Sequence, residues 1–334
     1  MLNHATAHAL DCPAMAEDPS RAAPRIAVLI PCYNEAAAIG DVVAGFFAAL
    51  PRATVYVYDN NSADGTIAAA QAAGAVVRRE RLQGKGHVVR RMFADIDADI
   101  YVLVDGDGTY DPHAAPEMVR LLAEERLDMV NAARRMDGAD AFRRGHRLGN
   151  RMLTGMVRAI FGARVQDMLS GYRAFSRRFV KTFPALAAGF ETETEFTVHA
   201  LDLAMPLAEI ETAYFARPEG SVSKLRTYSD GLRILRMIVL LVKEQRPLQF
   251  FALAAGVLLL AGLLLGAPVV AEFFATGLVP RLPTAVLALG FVLLSFLSLS
   301  CGLILDSVAR GRKEIKRLAY LAQPAPGVAA REGA

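Results

Sequence analysis

The sequence predicts an α/β domain with a mainly parallel sheet and helices on both faces, followed by an amphipathic helix and a membrane hairpin. Three observations support this. Strand-like and helix-like stretches alternate between residues 25 and 132, as in a sheet wound by crossover helices. Polar residues recur just beyond the apolar strands. Two uncharged runs then fill residues 250–271 and 282–305, each long enough to cross a ~30 Å hydrocarbon core at about 20 helical residues per span.

Residues 1–24 contain acids and no long apolar run, so they are not a signal peptide and are expected to be a disordered leader. RIAVLI, residues 25–30, is a buried strand. Ile39, Val42, Val43, Phe46, Phe47 and Leu50 form a helical stripe. TVYVYD ends a second strand at Asp59, and NNSADG turns the chain into an Ala-rich helix. AVV (75–77), YVLVD (101–105) and LDMVNA (127–132) are further strands, separated by helical patterns. A basic helical segment occupies residues 145–161. In VQDMLSGYRAFSRRF, a turn at Ser170-Gly171 leads into a short aromatic strand. ETETEFTVHALDLA is helical, with Thr192 and Glu195 at capping-box spacing. Residues 230–244 make an amphipathic helix: Leu232, Leu235, Val239 and Val242 face lipid or protein, while Arg233, Arg236 and Lys243 reach headgroups. The expected units are therefore the leader 1–24, a catalytic domain 25–227, an interfacial helix 228–247, a transmembrane hairpin 248–306 and a basic tail 307–334.

The hydrophobic fraction of 54% exceeds that of an ordinary soluble domain, and the excess sits in the two apolar runs. A buried core helix is the competing reading of one such run, but two adjacent runs favour a hairpin. Arg233, Arg236, Lys243 and Arg246 precede the first span, and Arg310, Arg312, Lys313, Lys316 and Arg317 follow the second. Arg281 is the single basic residue in the connection. The positive-inside rule then puts both termini and the catalytic region on the cytoplasmic side of an inner, cytoplasmic membrane. A net charge of +3 is too small to argue for nucleic acid. Cys12, Cys32 and Cys301 show no paired or metal-ligand spacing and fit a reducing compartment.

Ligands of open α/β sheets bind beyond the carboxyl ends of the strands. Those ends carry Asn34 and Glu35, Asp59, and Asp105 with Asp107. Two acids separated by one glycine repel each other unless hydrogen bonds or a cation offset the charge. The pair is compatible with a tight Gly-Asp turn, a divalent-metal site, or a general acid and base.

VLIPCYNEAAAI, YDNNSADGT, GKGHVVRR and VLVDGDGTYDP, in this order and spacing, resemble the family 2 glycosyltransferases of the GT-A fold. SGYRAF and RPEGSVSKL, together with the membrane hairpin, are similar to the polyprenyl-phosphate type, such as dolichyl-phosphate mannose synthase and the bactoprenol glucosyltransferases. The resemblance implies a GT-A, Rossmann-like sheet and a nucleotide-sugar donor bound around Pro31, Asn34, Glu35, Asp59 and Asn61. It also implies Mg2+ or Mn2+ on Asp105 and Asp107, with Asp107 catalytic. Hydrogen bonds from base and ribose suit Glu35 and Asp59, though an Asn-Glu helix cap and an Asp turn read the same residues. Lys85, in Gly-Lys-Gly, approaches phosphate or simply begins a helix. Many relatives carry Gln where Thr109 stands, and the shorter hydroxyl leaves a metal shell to be completed by water.

For the acceptor, the resemblance implies a polyprenyl phosphate held by arginines after the last sheet strand. Of Arg134, Arg135 and Arg147, near Asn150, the favoured pair is Arg135 and Arg147; solvated helix-face arginines are the alternative. Asp167, Ser170 and Arg173 match a block near sugar and acceptor. Arg217, Ser223 and Lys224 match a juxtamembrane loop that closes over the diphosphate. Glu191 and Glu193 are candidate catalytic acids or helix-start acids complementing a dipole. His87 and His199 are expected to be structural or exposed. The expected reaction is inverting transfer of a hexose from a UDP- or GDP-sugar to polyprenyl phosphate at the bilayer, and a homo-oligomer is compatible with it. The alternatives are transfer to a lipid hydroxyl such as diacylglycerol, or a non-catalytic nucleotide-sugar-binding scaffold.

Overall fold

Residues 23–135, 165–186, 191–216 and 246–326, with residues 155, 240, 243 and 244, are described by a computed structural model of the chain. Arg147, Asn150, Arg217, Ser223, Lys224, the leader up to residue 22 and most of the expected amphipathic helix lie outside the described residues.

The strands are β1 (Ile26–Cys32), β2 (Thr54–Asp59), β3 (Val76–Arg79), β4 (Ile100–Leu103), β5 (Met129–Arg135), β6 (Arg173–Ser176) and β7 (Leu207–Ala213). They form one sheet in the order β3-β2-β1-β4-β6-β5-β7. β1 pairs in parallel with β2 and β4, and β5 with β7, while β6 is antiparallel to both β4 and β5. The sheet is thus mainly parallel, as expected, with one reversed strand. β7 was not foreseen. Its LAEIETA sequence alternates with Glu209 and Glu211 and is only partly buried, as suits a strand at the edge of the sheet.

The helices are α1 (Ile39–Ala49), α2 (Thr66–Ala72), α3 (Lys85–Asp95), α4 (Ala115–Glu124), α5 (Arg177–Thr182), α6 (Thr192–Asp202), α7 (Pro247–Thr276) and α8 (Leu282–Leu321). Successive β1 residues enter different cores. Val28 and Ile30 pack with Ile39, Val43 and Phe46 of α1 and Met118 of α4. Ala27 and Leu29 pack with Val88 and Met92 of α3 and Phe179 and Phe196 of α5 and α6. A strand covered on both faces has to be apolar at every position, which is why RIAVLI reads as a continuous run. The expected capping box of α6 does not form. Glu191 occupies the N-cap position without a side-chain cap, and Glu195 instead accepts from the Leu186 N–H at 2.9 Å.

β6 runs against its neighbours, so its first residue, Arg173, lies at the edge where β1, β2, β4 and β5 end. The topology therefore gathers the DGDG stretch, the β1 and β2 loops and the SGYR turn at one end of the sheet.

α7 and α8 are both long and apolar enough to cross a membrane. Small residues line their contact. A Cβ on Gly262 would lie 2.9 Å from Val292 Cγ2, and one on Gly302 would lie 2.9 Å from Phe251 Cβ. Ser295 Oγ donates to the Ala255 carbonyl (2.9 Å) and Ser298 Oγ to the Phe251 carbonyl (3.0 Å). Leu253, Leu260, Leu264, Leu289 and Phe296 point outward, where lipid rather than water suits them. Gly277, with φ 72°, ends α7 in the left-handed conformation.

α8 runs past the apolar segment and docks on the α/β domain. Tyr320 Oη donates to Asp128 Oδ2 (2.8 Å), and the Arg178 guanidinium lies 4.3 Å from the Tyr320 ring centroid. Lys313 Nζ is 3.1 Å from Asp202 Oδ1. The buried Asp128 carboxylate also accepts from Ser176 Oγ (2.7 Å), Arg178 Nε (2.9 Å) and Arg178 Nη2 (2.8 Å). Tyr320→Ala removes a hydrogen bond to a charged acceptor and a cation–π contact. This should accelerate trypsin cleavage after Arg312, Lys313, Lys316 and Arg317 by about 10-fold or more, because a loss of about 1.5–3 kcal/mol is read directly as the open population. Unchanged cleavage would contradict the docking.

Candidate active site

The β1 and β2 loops are stitched together by short polar side chains. Asn34 (φ 53°) and Asn61 (φ 68°) adopt the left-handed conformation that asparagine tolerates. The Asn34 N–H donates to Ser62 Oγ (2.9 Å), and Asn34 Oδ1 accepts from the Ala63 N–H (2.8 Å). The Glu35 N–H donates to Thr66 Oγ1 (2.9 Å). Asp59, at the buried end of β2, accepts from the Ser62 N–H (3.2 Å to Oδ2). Pro31 lies beside Tyr58 in the β1–β2 register.

Asn60 escaped the sequence reading. Its Nδ2 donates to the Glu80 and Leu82 carbonyls (3.0 and 2.8 Å), and its Oδ1 accepts from the Gly84 N–H (2.7 Å). Asn61 Nδ2 does similar work on the Arg81 carbonyl (2.9 Å) and Gln83 Oε1 (3.0 Å). Gly84, with φ 134°, then turns the chain so that α3 starts at Lys85.

Lys85 is the centre of the site. Its Nζ lies 2.5 Å from Asp105 Oδ1 and also pairs with Glu193 at the start of α6. Burial alone would lower the Lys85 pKa, but Asp105 and then Glu193 outweigh it and hold the group raised. Burial raises the Glu193 pKa, opposed by Lys85 and reinforced by Asp105. Glu193 Oε2 is buried and has no hydrogen-bond partner.

The glycines around the acids are required for space. A Cβ on Gly106 would sit 2.6 Å from Cys32 Sγ and 3.2 Å from Ile30 Cγ2, so the residue between the two acids passes directly against the end of β1. A Cβ on Gly171 would lie 2.8 Å from Asp105 Cγ and closer still to Oδ2. Asp107 is buried, and its Oδ1 accepts from Thr109 Oγ1 (2.6 Å) and the Thr109 N–H (3.2 Å). Thr109 therefore braces the second acid.

No group of three or more His, Cys, Asp or Glu side chains converges among the described residues. A cage made of protein ligands alone would need such a group. An ion shared between one or two carboxylates and substrate phosphates does not, and Asp105 with Asp107 fits that case.

On the other side of the edge, Arg134 and Asp167 form a bidentate pair, with Nε–Oδ2 2.6 Å and Nη2–Oδ1 2.8 Å. Burial opposes both charges, yet each partner holds the other ionised: Arg134 is raised and Asp167 lowered. Arg134 also lies 5.5 Å from the Tyr214 ring centroid. Arg135 is exposed at the end of β5. Glu209 and Asn131, neither singled out from sequence, secure the Asp167 loop. Glu209 Oε1 accepts from Asn131 Nδ2 (2.6 Å) and the Asp167 N–H (3.1 Å), and Oε2 accepts from the Gln166 N–H (2.7 Å).

Arg173 is fully buried, and burial pushes its pKa down to about 10. It donates to the Met168 carbonyl (2.7 Å), the Ser170 carbonyl (3.1 Å) and Thr197 Oγ1 (2.8 Å). It thereby holds the turn that presents Gly171 to Asp105. Ser170 Oγ donates to the Ala132 carbonyl (2.5 Å), and the Gly171 N–H donates to Tyr110 Oη (2.8 Å). His199, pushed down to about 3 by burial, packs edge-on against Phe179 and Phe183 and meets Thr182 Oγ1 at 3.3 Å, a structural placement.

Residues 27–183 match the family Glycosyl transferase family 2. Glycosyltransferase AglJ of Haloferax volcanii is 32% identical over 304 residues, 89% of this chain and 98% of its own. The dolichyl-phosphate hexose transferase of the same organism is 27% identical over 221 residues, 66% of this chain and 95% of its own. Glucosyl-3-phosphoglycerate synthase from Mycobacterium tuberculosis, solved with Mn2+, UDP and glucosyl-3-phosphoglycerate, has a TM-score of 0.54 and 25% identity, covering 66% of this chain and 79% of its own. A glycosyltransferase by these matches and by its sheet and strand-end acids, the chain belongs to glycosyl transferase family 2.

Proposed function

We propose that the chain transfers a hexose from a UDP- or GDP-sugar to polyprenyl phosphate at the cytoplasmic membrane face, with inversion at the anomeric carbon. The observation that carries this is the acid pair Asp105 and Asp107 at a sheet edge, in a chain whose last helices are long and apolar enough to cross a bilayer. The dolichyl-phosphate hexose transferase relative supports the acceptor class, and the neighbour bound to Mn2+ and UDP supports the donor class. The hydrogen bond from Tyr320 Oη to Asp128 supports the topology, because a span that put the end of α8 across the bilayer from the sheet would not allow it.

Asp105 and Asp107 would hold Mg2+ or Mn2+, which when bound offsets the charge on a departing diphosphate. Pro31, Asn34, Glu35, Asp59 and Asn61 shape the base and ribose end, and Lys85 faces the diphosphate. Arg217, Ser223 and Lys224 belong to the loop that closes over it. Arg135 and Arg147 grip the acceptor phosphate, for which guanidinium geometry is suited. Asp167 acts by fixing Arg134, the neighbour of Arg135 at the end of β5, and Arg173 by fixing the SGYR turn. A phosphate monoester has a second pKa of about 6, so it arrives largely dianionic and needs no strong base. Positioning is then the main task of the protein.

Four outcomes test this reading with a radiolabelled nucleotide sugar and undecaprenyl phosphate. EDTA and Asp107→Ala should each abolish transfer, with folding and membrane insertion of the variant intact; full turnover in either would reject the metal role. Arg147→Ala should raise the apparent KM for polyprenyl phosphate roughly 10- to 150-fold, the equivalent of about 1.5–3 kcal/mol for one charge-assisted contact, with little effect on the KM for the nucleotide sugar. Glu191→Gln and Glu193→Gln should keep measurable transfer. An indispensable glutamate would favour a lipid hydroxyl as nucleophile. Gly171→Ala should displace the Asp105 carboxylate and lower kcat/KM by roughly 100-fold, the order expected of a 1 Å misplacement. The crowding should cost about 1–3 kcal/mol of stability, and wild-type turnover in the folded variant would show that Asp105 has room to move.

A further inference from the structure

We infer that Lys85 is the resident counter-ion of Asp105 and that Glu193 is its positioning residue, so that a divalent cation binds tightly only together with the donor diphosphate. This rests on the proposed role of Asp105 as a metal ligand. Lys85 Nζ is 2.5 Å from Asp105 Oδ1 and pairs with Glu193, and the Lys85 and Glu193 side chains are only 10% and 6% exposed. A dication reaching Asp105 alone meets an ammonium already on the same carboxylate, and the two repel. Gly171 is packed against the other Asp105 oxygen and closes that side to the carboxylate. Lys85 is tethered at the start of α3 by the bond from the Gly84 N–H to Asn60 Oδ1. A cation arriving with a diphosphate brings negative charge that both the ion and Lys85 can share.

Glu193 gives the ammonium somewhere to go. Its Oε1 already holds Lys85, while its Oε2 is buried and unpartnered. An orphaned buried acceptor is costly to folding, and this one belongs to the carboxylate that already holds Lys85. The spare oxygen is a second acceptor within the same carboxylate for an ammonium that gives up Asp105. Glu193 thus controls how firmly Lys85 blocks Asp105, without touching the reacting atoms.

The test measures Mn2+ binding to the full chain in detergent by electron paramagnetic resonance, with and without UDP, and with GDP in parallel. In the wild type, the nucleotide should tighten Mn2+ binding by about 10-fold or more, a coupling in the usual range between two sites, and Mn2+ should tighten nucleotide binding by the same factor. Lys85→Met should bind Mn2+ without nucleotide about 10-fold more tightly than the wild type and lose most of the coupling. Glu193→Gln leaves Lys85 to Asp105 alone, so Mn2+ without nucleotide should bind more weakly and the coupling should widen. These opposite shifts are not what a misfolded variant produces. If the wild type binds Mn2+ with nucleotide but both variants keep its coupling, this inference is overturned and the metal reading stands. If the wild type binds no Mn2+ with either nucleotide, both are overturned.

Discussion

The buried contact of Lys85 with Asp105 and Glu193 is the constraint around which the strand ends are arranged. Lys85 and Glu193 are almost closed to water while Asp105 stays partly open to it, and such charges hold together only if each is fixed in place. Asn60 fixes the loop that delivers Lys85. Gly106 lets the acid-bearing segment lie against β1, and Gly171 leaves room for the Asp105 carboxylate. Arg173 pins the turn carrying Gly171 from inside the core. Residues with no direct part in chemistry thus set the position of one carboxylate.

Much of this was legible in the sequence because the signals are local. β1, β2 and β4 are short apolar runs followed directly by polar residues, and a strand buried on both faces has little freedom to look otherwise. The apolar runs of α7 and α8 carry their message in length alone. The less legible features depend on residues far apart in the chain. Lys85 and Glu193 are 108 positions apart, and nothing in either neighbourhood announces the other. Asn131 and Glu209 meet only because β5 and β7 pair, and β7 itself was hidden by its half-exposed, acid-containing pattern. The reversal of β6 is likewise set by its neighbours β4 and β5 rather than by its own four residues. Arg173 shows the limit of motif matching. Its place beside the site was readable, but its complete burial, with the guanidinium spent on carbonyls and Thr197, follows from packing.

A second buried carboxylate, Asp128, ties the α/β domain to the pair of long apolar helices. Its partners come from β6, α5 and the end of α8. Because α8 is one continuous helix from the hairpin connection to Leu321, this contact passes the placement of the apolar segment on to the sheet. An enzyme that joins a water-soluble donor to a lipid must hold its strand-end site at a fixed height above the bilayer. A rigid helix docked on the domain would serve that need better than a flexible tether.

The central claim is that a phosphate oxygen of a membrane lipid is the nucleophile. The most direct measurement offers the purified, lipid-reconstituted chain polyprenyl phosphate, the free prenol and diacylglycerol side by side with the same nucleotide sugar, and determines the anomeric configuration of the lipid product by NMR. The account predicts a product from polyprenyl phosphate alone, with anomeric configuration opposite to that of the donor. Transfer to the prenol or to diacylglycerol but not to the phosphate, or a product that retains the donor's configuration, would contradict it.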